Sequence, residues 1–188
     1  HQLIRQSGTD IAKEYLAANE LAIAEFKQLE KKFPCDFKET SAYLYAIDQP
    51  QKLEQEWRAL EKIGYAATYI NQLPLPFQNA GALRFKNQGQ FHPLKFIKGF
   101  CKELNIYERT AALAINGKEV YTNRGIIQAE RIIIATHFPF INKKGVYFLK
   151  MHQERSYVLG LKNVPDINGI YLCAENEGYS MRNADGYL

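Results

Sequence analysis

Apolar residues recur at steps of three and four from Ile11 through Tyr15, Ala18, Ala22 and Phe26 to Leu29. This stripe predicts an amphipathic helix over residues 9–31. Ser7 and Asp10 fit a capping box at its start, Lys31 and Lys32 suit its negative end, and Pro34 stops it. Residues 37–47 then change period, with Tyr43, Tyr45 and Ile47 on one face, which predicts a strand. Asp48 is placed to cap a second helix beginning near Pro50, with Leu53, Trp57, Leu60 and Ile63 on its buried side and Gly64 just past its end. A strand over 65–70 follows. The two prolines within 73–77 then demand an extended loop.

Residues 82–85 read as a short strand and 86–90 as a polar loop. Pro93 suits the first turn of a third helix that buries Phe96, Ile97, Phe100, Cys101 and Leu104. Beyond it, the run 111–115, the turn at Asn116 and Gly117, and the run 118–122 predict a hairpin. Asn123, Arg124 and Gly125 turn the chain again into 126–128, which completes a three-stranded meander. The near-continuous apolar run 131–135 predicts a strand buried on both faces. Residues 147–160 and 169–174 predict two more strands. Helices and strands in this order give an α+β fold.

Composition narrows the function classes. Of 188 residues, 46% are hydrophobic and 23% charged, which excludes a disordered or fibrous chain. Twenty-four Lys and Arg against 20 Asp and Glu leave a net charge of +4, too mild to argue for nucleic acid. No apolar run reaches the ~20 residues of a membrane-spanning helix. Cys35, Cys101 and Cys173 are odd in number, far apart and without a CxxC spacing. That predicts free thiols in a reducing cytoplasm, with neither a disulfide framework nor a metal site.

Neither G-x-G-x-x-G nor G-x-x-x-x-G-K-[ST] occurs, so neither common phosphate-cradling loop is present. Three local features carry candidate chemistry. Asn87-Gln88-Gly89-Gln90-Phe91-His92-Pro93 places amides and a glycine at a helix N-terminus, which suits a polar or anionic ligand; a plain capped helix is the other reading. Ile133-Ile134-Ala135-Thr136-His137 ends an apolar strand in small residues, where backbone can approach a ligand. In Met151-His152-Gln153-Glu154-Arg155-Ser156-Tyr157, a period of two places Gln153, Arg155 and Tyr157 opposite His152, Glu154 and Ser156. One of these polar sets faces a partner, or water.

Taken in order, Ala82-Leu83-Arg84-Phe85, Asn87 to Leu94, the meander, Arg131 to Thr136, and Met151 to Tyr157 resemble the D-amino-acid oxidase-like family of FAD-dependent oxidoreductases. The resemblance implies a mixed-sheet substrate domain with helices on one face, and part of a Rossmann-like FAD-binding domain built of helix, β-meander and buried strand. It assigns residues 1–80 and 146–188 to the substrate side and 81–145 to the cofactor side. It also implies FAD as cofactor and a small-molecule amine or amino acid as substrate. Thr110 and Ala111 would lie beside the adenine and ribose, Ala135, Thr136 and His137 near the dinucleotide, and Arg182 toward the flavin. Arg155 and Tyr157 would line the substrate pocket. Position 137 is His where the wider family carries Gly.

The family's N-terminal G-x-G-x-x-G unit and its final Gly-rich segment have no counterpart in these residues. The chain is therefore expected to be an internal piece of a flavoenzyme. By itself it should be inactive, unable to retain FAD, and able to self-associate through an exposed apolar face around 132–135. Two other readings stand beside this one: a non-enzymatic ligand-binding or interaction module, and a flavoprotein hydroxylase or dehydrogenase of similar topology.

Overall fold

The computed structural model describes residues 1–141, 145–176 and 178–188. In chain order the elements are α1 (Gln2–Leu29), β1 (Lys38–Tyr45), α2 (Pro50–Ile63), β2 (Thr68–Ile70), β3 (Ala82–Gln90), α3 (Pro93–Phe100), β4 (Ala112–Asn116), β5 (Glu119–Thr122), β6 (Gly125–Gln128), α4 (Tyr147–Lys150), β7 (Ile170–Cys173) and β8 (Met181–Arg182). The class is α+β. The chain divides into two compact units, residues 1–102 with 159–188, and residues 103–158. This division by packing differs from the division expected at 80 and 145: β3 pairs with β1 along its whole length and so joins the first unit.

The first unit is built on a five-stranded mixed sheet, ordered β2-β3-β1-β7-β8. β1 and β7 run parallel, and the other neighbours are antiparallel. Alternation divides the sheet's side chains between two faces. Leu44 and Leu83 point to the side where Leu53 and Leu60 of α2 complete a core. Tyr45, Ala82 and Tyr171 point to the opposite side, where Leu73, Leu75 and Phe77 of the proline-rich loop cover them. Gly81 is required at the start of β3. It takes φ +106°, and a Cβ there would fall 2.5 Å from the Ile70 carbonyl oxygen.

Three details depart from the periodic reading. α1 starts earlier than the pattern, but Gly8 breaks it at φ 87°, ψ 171°, so the regular helix resumes at Thr9 where the stripe begins. Its inward side is Ala12, Leu16, Ile23 and Phe26, while Ile11 and Tyr15 are exposed. β3 does not end at Phe85; it continues through the polar residues to Gln90. Between Ala42↔Phe85 and Thr40↔Gln88, Lys86 and Asn87 together oppose Ser41, a β-bulge with Asn87 at φ 57°. Backbone pairing with β1 holds this segment whatever its polarity. The caps also differ: the N-cap of α2 is Gln49, whose side chain accepts no capping bond, whereas His92 caps α3 by accepting from the Lys95 N–H at 3.4 Å.

The second unit contains the expected meander, ordered β4-β5-β6. Asn116 pairs with Glu119, so the turn centres on Gly117 and Lys118, with Gly117 at φ 58°. That suits a turn needing glycine at its first central position. The expected strand over 131–135 does not form, and Ile133 is 89% exposed. The strand expected over 147–160 is replaced by the one-turn α4 and irregular chain. A strand needs a neighbour for its N–H and C=O groups, and among the described residues neither segment has one.

Candidate functional site

A cleft of about 470 Å³ opens in the first unit where β1 begins and β3 and β8 end, beside the start of α3. Its charged and polar lining includes Asp36, Lys38, Gln90, His92, Asp166, Arg182 and Asp185. Gln90 Nε2 donates to the Asn183 carbonyl at 3.1 Å, and Asn183 Oδ1 accepts from the Ile167 N–H at 2.8 Å. Past β8 the chain reverses at Asp185 and Gly186, both at positive φ. Ala184 and Tyr187 exchange hydrogen bonds of 2.9 and 3.0 Å across this reversal. Lys38 Nζ stands 4.0 Å from Asp166, and Lys95 ion-pairs with Asp36. That bond to Asp36 holds the Lys95 ammonium above its ordinary pKa.

The first candidate motif therefore reaches a cleft, but not in the expected manner. Gln90, Phe91, His92 and Pro93 line it. At the α3 N-terminus, Pro93 has no N–H and the Lys95 N–H is taken by His92. The cleft offers a ligand side-chain charge and amide groups rather than helix N–H groups. Arg182 lies in this lining.

The remaining expected cofactor residues belong to the second unit. Ala111 is held at both backbone groups by Asn123: its N–H donates to Asn123 Oδ1 at 2.9 Å, and its carbonyl accepts from the Asn123 N–H at 3.1 Å. Thr110 Oγ1 donates to the Glu108 carbonyl at 3.1 Å. Thr136 closes a tight turn, its carbonyl accepting from the Phe138 N–H at 2.7 Å, with His137 left-handed at φ 64°. Ala135, Thr136 and His137 are exposed. Arg155 and Tyr157 are exposed in irregular chain, and neither side chain bonds to another described residue. The one ion pair in that stretch joins His152 Nε2 to Glu154 Oε1 at 3.0 Å.

Periodicity missed Glu175. Its Oε1 accepts from the N–H groups of Ile47, Asp48 and Gln49 at 2.9, 3.1 and 2.9 Å. This carboxylate, delivered from beyond the end of β7, grips the turn that leads into α2 and sits at the helix's positive end. Burial works to raise its pKa. The three N–H donors and nearby Lys52 outweigh burial and hold it below the ordinary carboxyl range. Because the folded pKa is depressed, the stabilisation is full above the unfolded value and is lost as pH falls through the folded one. Glu175→Ala should cost about 1.5–3 kcal/mol in urea unfolding near neutral pH. The gap to wild type should close on acidification below about pH 4. A gap that stays constant from neutral to acid pH would contradict this role of the carboxylate.

Small side chains at Ala111 and Ala135 leave exposed backbone that a flat ligand can approach. Among the described residues no Gly-rich turn leads into a helix N-terminus to receive a pyrophosphate. The family model described as FAD dependent oxidoreductase matches residues 1–188. The chain belongs to the FAD-dependent oxidoreductase family. A Bacillus subtilis (strain 168) protein, YhfW, which bears the name of a Rieske 2Fe-2S iron-sulfur protein, is 35% identical over 195 residues. The match covers 96% of this chain and 38% of YhfW, so the chain spans well under half of that relative's length. No solved structure matches. No helix among the described residues is long and apolar enough to cross a membrane.

Proposed function

We propose that the whole protein is a cytoplasmic FAD-dependent oxidoreductase that oxidises an amine or amino acid. In this reading the chain supplies its substrate-side sheet and part of its cofactor contact. The observation that carries the reading is the family match along all 188 residues. FAD, when bound, supplies the ring that accepts the hydride from the carbon bearing the amine. This chain's residues bind and orient. Thr110 and Ala111 border the adenine and ribose, Ala135 to His137 lie along the dinucleotide, and Arg182 projects from the cleft toward the flavin. Arg155 and Tyr157 hold the substrate. Residues 1–80 and 146–188 serve the substrate, and 81–145 the cofactor.

By itself this stretch is not expected to retain FAD, because the pyrophosphate cradle is missing from it. Exposed Ile133 and its neighbours favour self-association of the isolated stretch. The name of YhfW favours an iron-sulfur centre as the acceptor of the flavin's electrons in the whole protein. Among the described residues no three His, Cys, Asp or Glu side chains gather where they could hold a metal, so that centre would lie elsewhere.

The test is anaerobic spectroscopy of the natural-length protein. Flavin absorbance should co-purify with it and bleach on addition of an amine or amino acid. A protein without flavin would sink the whole reading. Flavin that no amine or amino acid bleaches would sink the substrate class alone. Re-admitted dioxygen should restore the colour slowly if electrons leave through an iron-sulfur centre.

A further inference from the structure

The sequence carries two Asn-Gly pairs, Asn116-Gly117 and Asn168-Gly169. In such a pair no Cβ shields the glycine nitrogen, which lets it approach the asparagine Cγ. The two pairs stand in opposite surroundings. Asn116 ends β4, and Gly117 opens the two-residue turn into β5. Both are exposed. Gly117 sits at φ 58°, and a Cβ built on it would meet no atom within 4 Å. Its N–H donates to no other described residue. A single strand pair, Asn116 with Glu119, closes the turn, so fraying at this tip breaks one rung of the ladder and costs little. The Asn116 amide borders the Tyr121 hydroxyl, which donates to Glu119 Oε2 at 2.9 Å. That contact lies at the surface and does not hold the Asn116 backbone.

Asn168-Gly169 is locked. The Asn168 N–H donates to Asp166 Oδ1 at 2.7 Å, and its side-chain amide reaches the Asp166 carbonyl at 3.5 Å. A Cβ on Gly169 would fall 2.6 Å from the Tyr43 ring and 3.2 Å from the Ser41 carbonyl oxygen, which leaves the backbone no room to swing. The next residue, Ile170, enters the parallel pairing with β1. Rotating this peptide means lifting the start of β7 off the sheet.

We infer that Asn116 is a self-modification site of the folded protein, converting to aspartyl and isoaspartyl forms while Asn168 is preserved. The Gly117 nitrogen gives its proton to a solvent base and attacks Asn116 Cγ. A C–N bond forms, the Cγ–Nδ2 bond breaks, and ammonia leaves with a proton taken back from solvent. Water then opens the cyclic imide. Attack at the side-chain carbonyl gives aspartate, and attack at the main-chain carbonyl gives isoaspartate, whose chain continues through the former side chain. Water is the one co-reactant. Either product sets a carboxylate opposite that of Glu119, and like charges facing each other across two strands are unfavourable. Isoaspartate also adds a methylene to a turn whose length fixes the β4–β5 register. The inference goes beyond the flavin reading and does not depend on it.

The test compares the natural-length protein, folded and in denaturant, during incubation in mildly alkaline buffer. Peptide mass mapping counts conversion at each asparagine, and an isoaspartyl methyltransferase scores the isoaspartyl share. In denaturant the two pairs should convert at similar rates, since glycine follows in both. In the folded protein Asn116 should keep its rate to within a few-fold, while Asn168 waits on local opening and should lag about tenfold or more. Raising the pH should speed the folded reaction at Asn116, as loss of the Gly117 proton requires. Asn116→Gln, whose longer side chain closes a larger and slower ring, should abolish conversion at that position and leave Asn168 unchanged. An Asn116 that stays intact in the folded protein while the denatured chain converts would overturn the inference. So would an Asn168 that converts as fast as Asn116 in the folded state. Neither outcome touches the flavin reading, and a protein without flavin leaves this site intact.

Discussion

Leu83→Ala is expected to lower stability by about 2–5 kcal/mol. Leu83 is fully buried on β3. It stands in register between Tyr69 on β2 and Leu44 on β1, and it shares the core that Leu53 and Leu60 of α2 complete. Removing three carbons there takes contacts from the sheet and from the helix together, and neither can close the gap without breaking strand register. Leu113, 62% exposed on β4, is the control: Leu113→Ala should stay within about ±0.5 kcal/mol. Urea midpoints at constant m-value measure both. A Leu83→Ala cost below about 1 kcal/mol would mean that α2 is not seated on the sheet as described.

Arg155→Met in the natural-length enzyme is expected to cost roughly 2–4 kcal/mol in kcat/KM for an amine bearing a carboxylate, about a hundredfold. An amine without a carboxylate should lose little, and flavin content should not change. The structure sharpens this expectation. Arg155 is exposed, and its side chain bonds to no other described residue, so the substitution should leave folding stability within about ±0.5 kcal/mol. A specific loss of activity then reports on substrate. Equal loss on both amines would discard Arg155 as the clamp.

Local periodicity was enough where an element carries its own reasons to form. α2 has proline in its first turn, an apolar stripe through Leu53 and Leu60, and glycine at its left-handed end, and it appears where the pattern places it. The meander is set by two glycines at positive φ, Gly117 and Gly125. α3 follows from His92 and Pro93. The order of motifs from Ala82 to Tyr157 was also enough for the family, which the match over the whole chain bears out.

What depends on distant partners was not legible. The buried side of α1 shifted to Ala12 and Leu16 because the helix packs against α2, and a stripe with apolar residues on both flanks does not say which flank is covered. Polar residues 86–90 became strand because β1 offered hydrogen bonds on the other side of a bulge. The mostly apolar stretch 131–135 did not, because no neighbour among the described residues offered any. Glu175 holds the turn before a helix more than a hundred residues earlier. A residue's own chemistry is written in its identity. Whether its charge is paired, its backbone satisfied or its face covered is set by chain segments brought together from far apart, and that is information no local window contains.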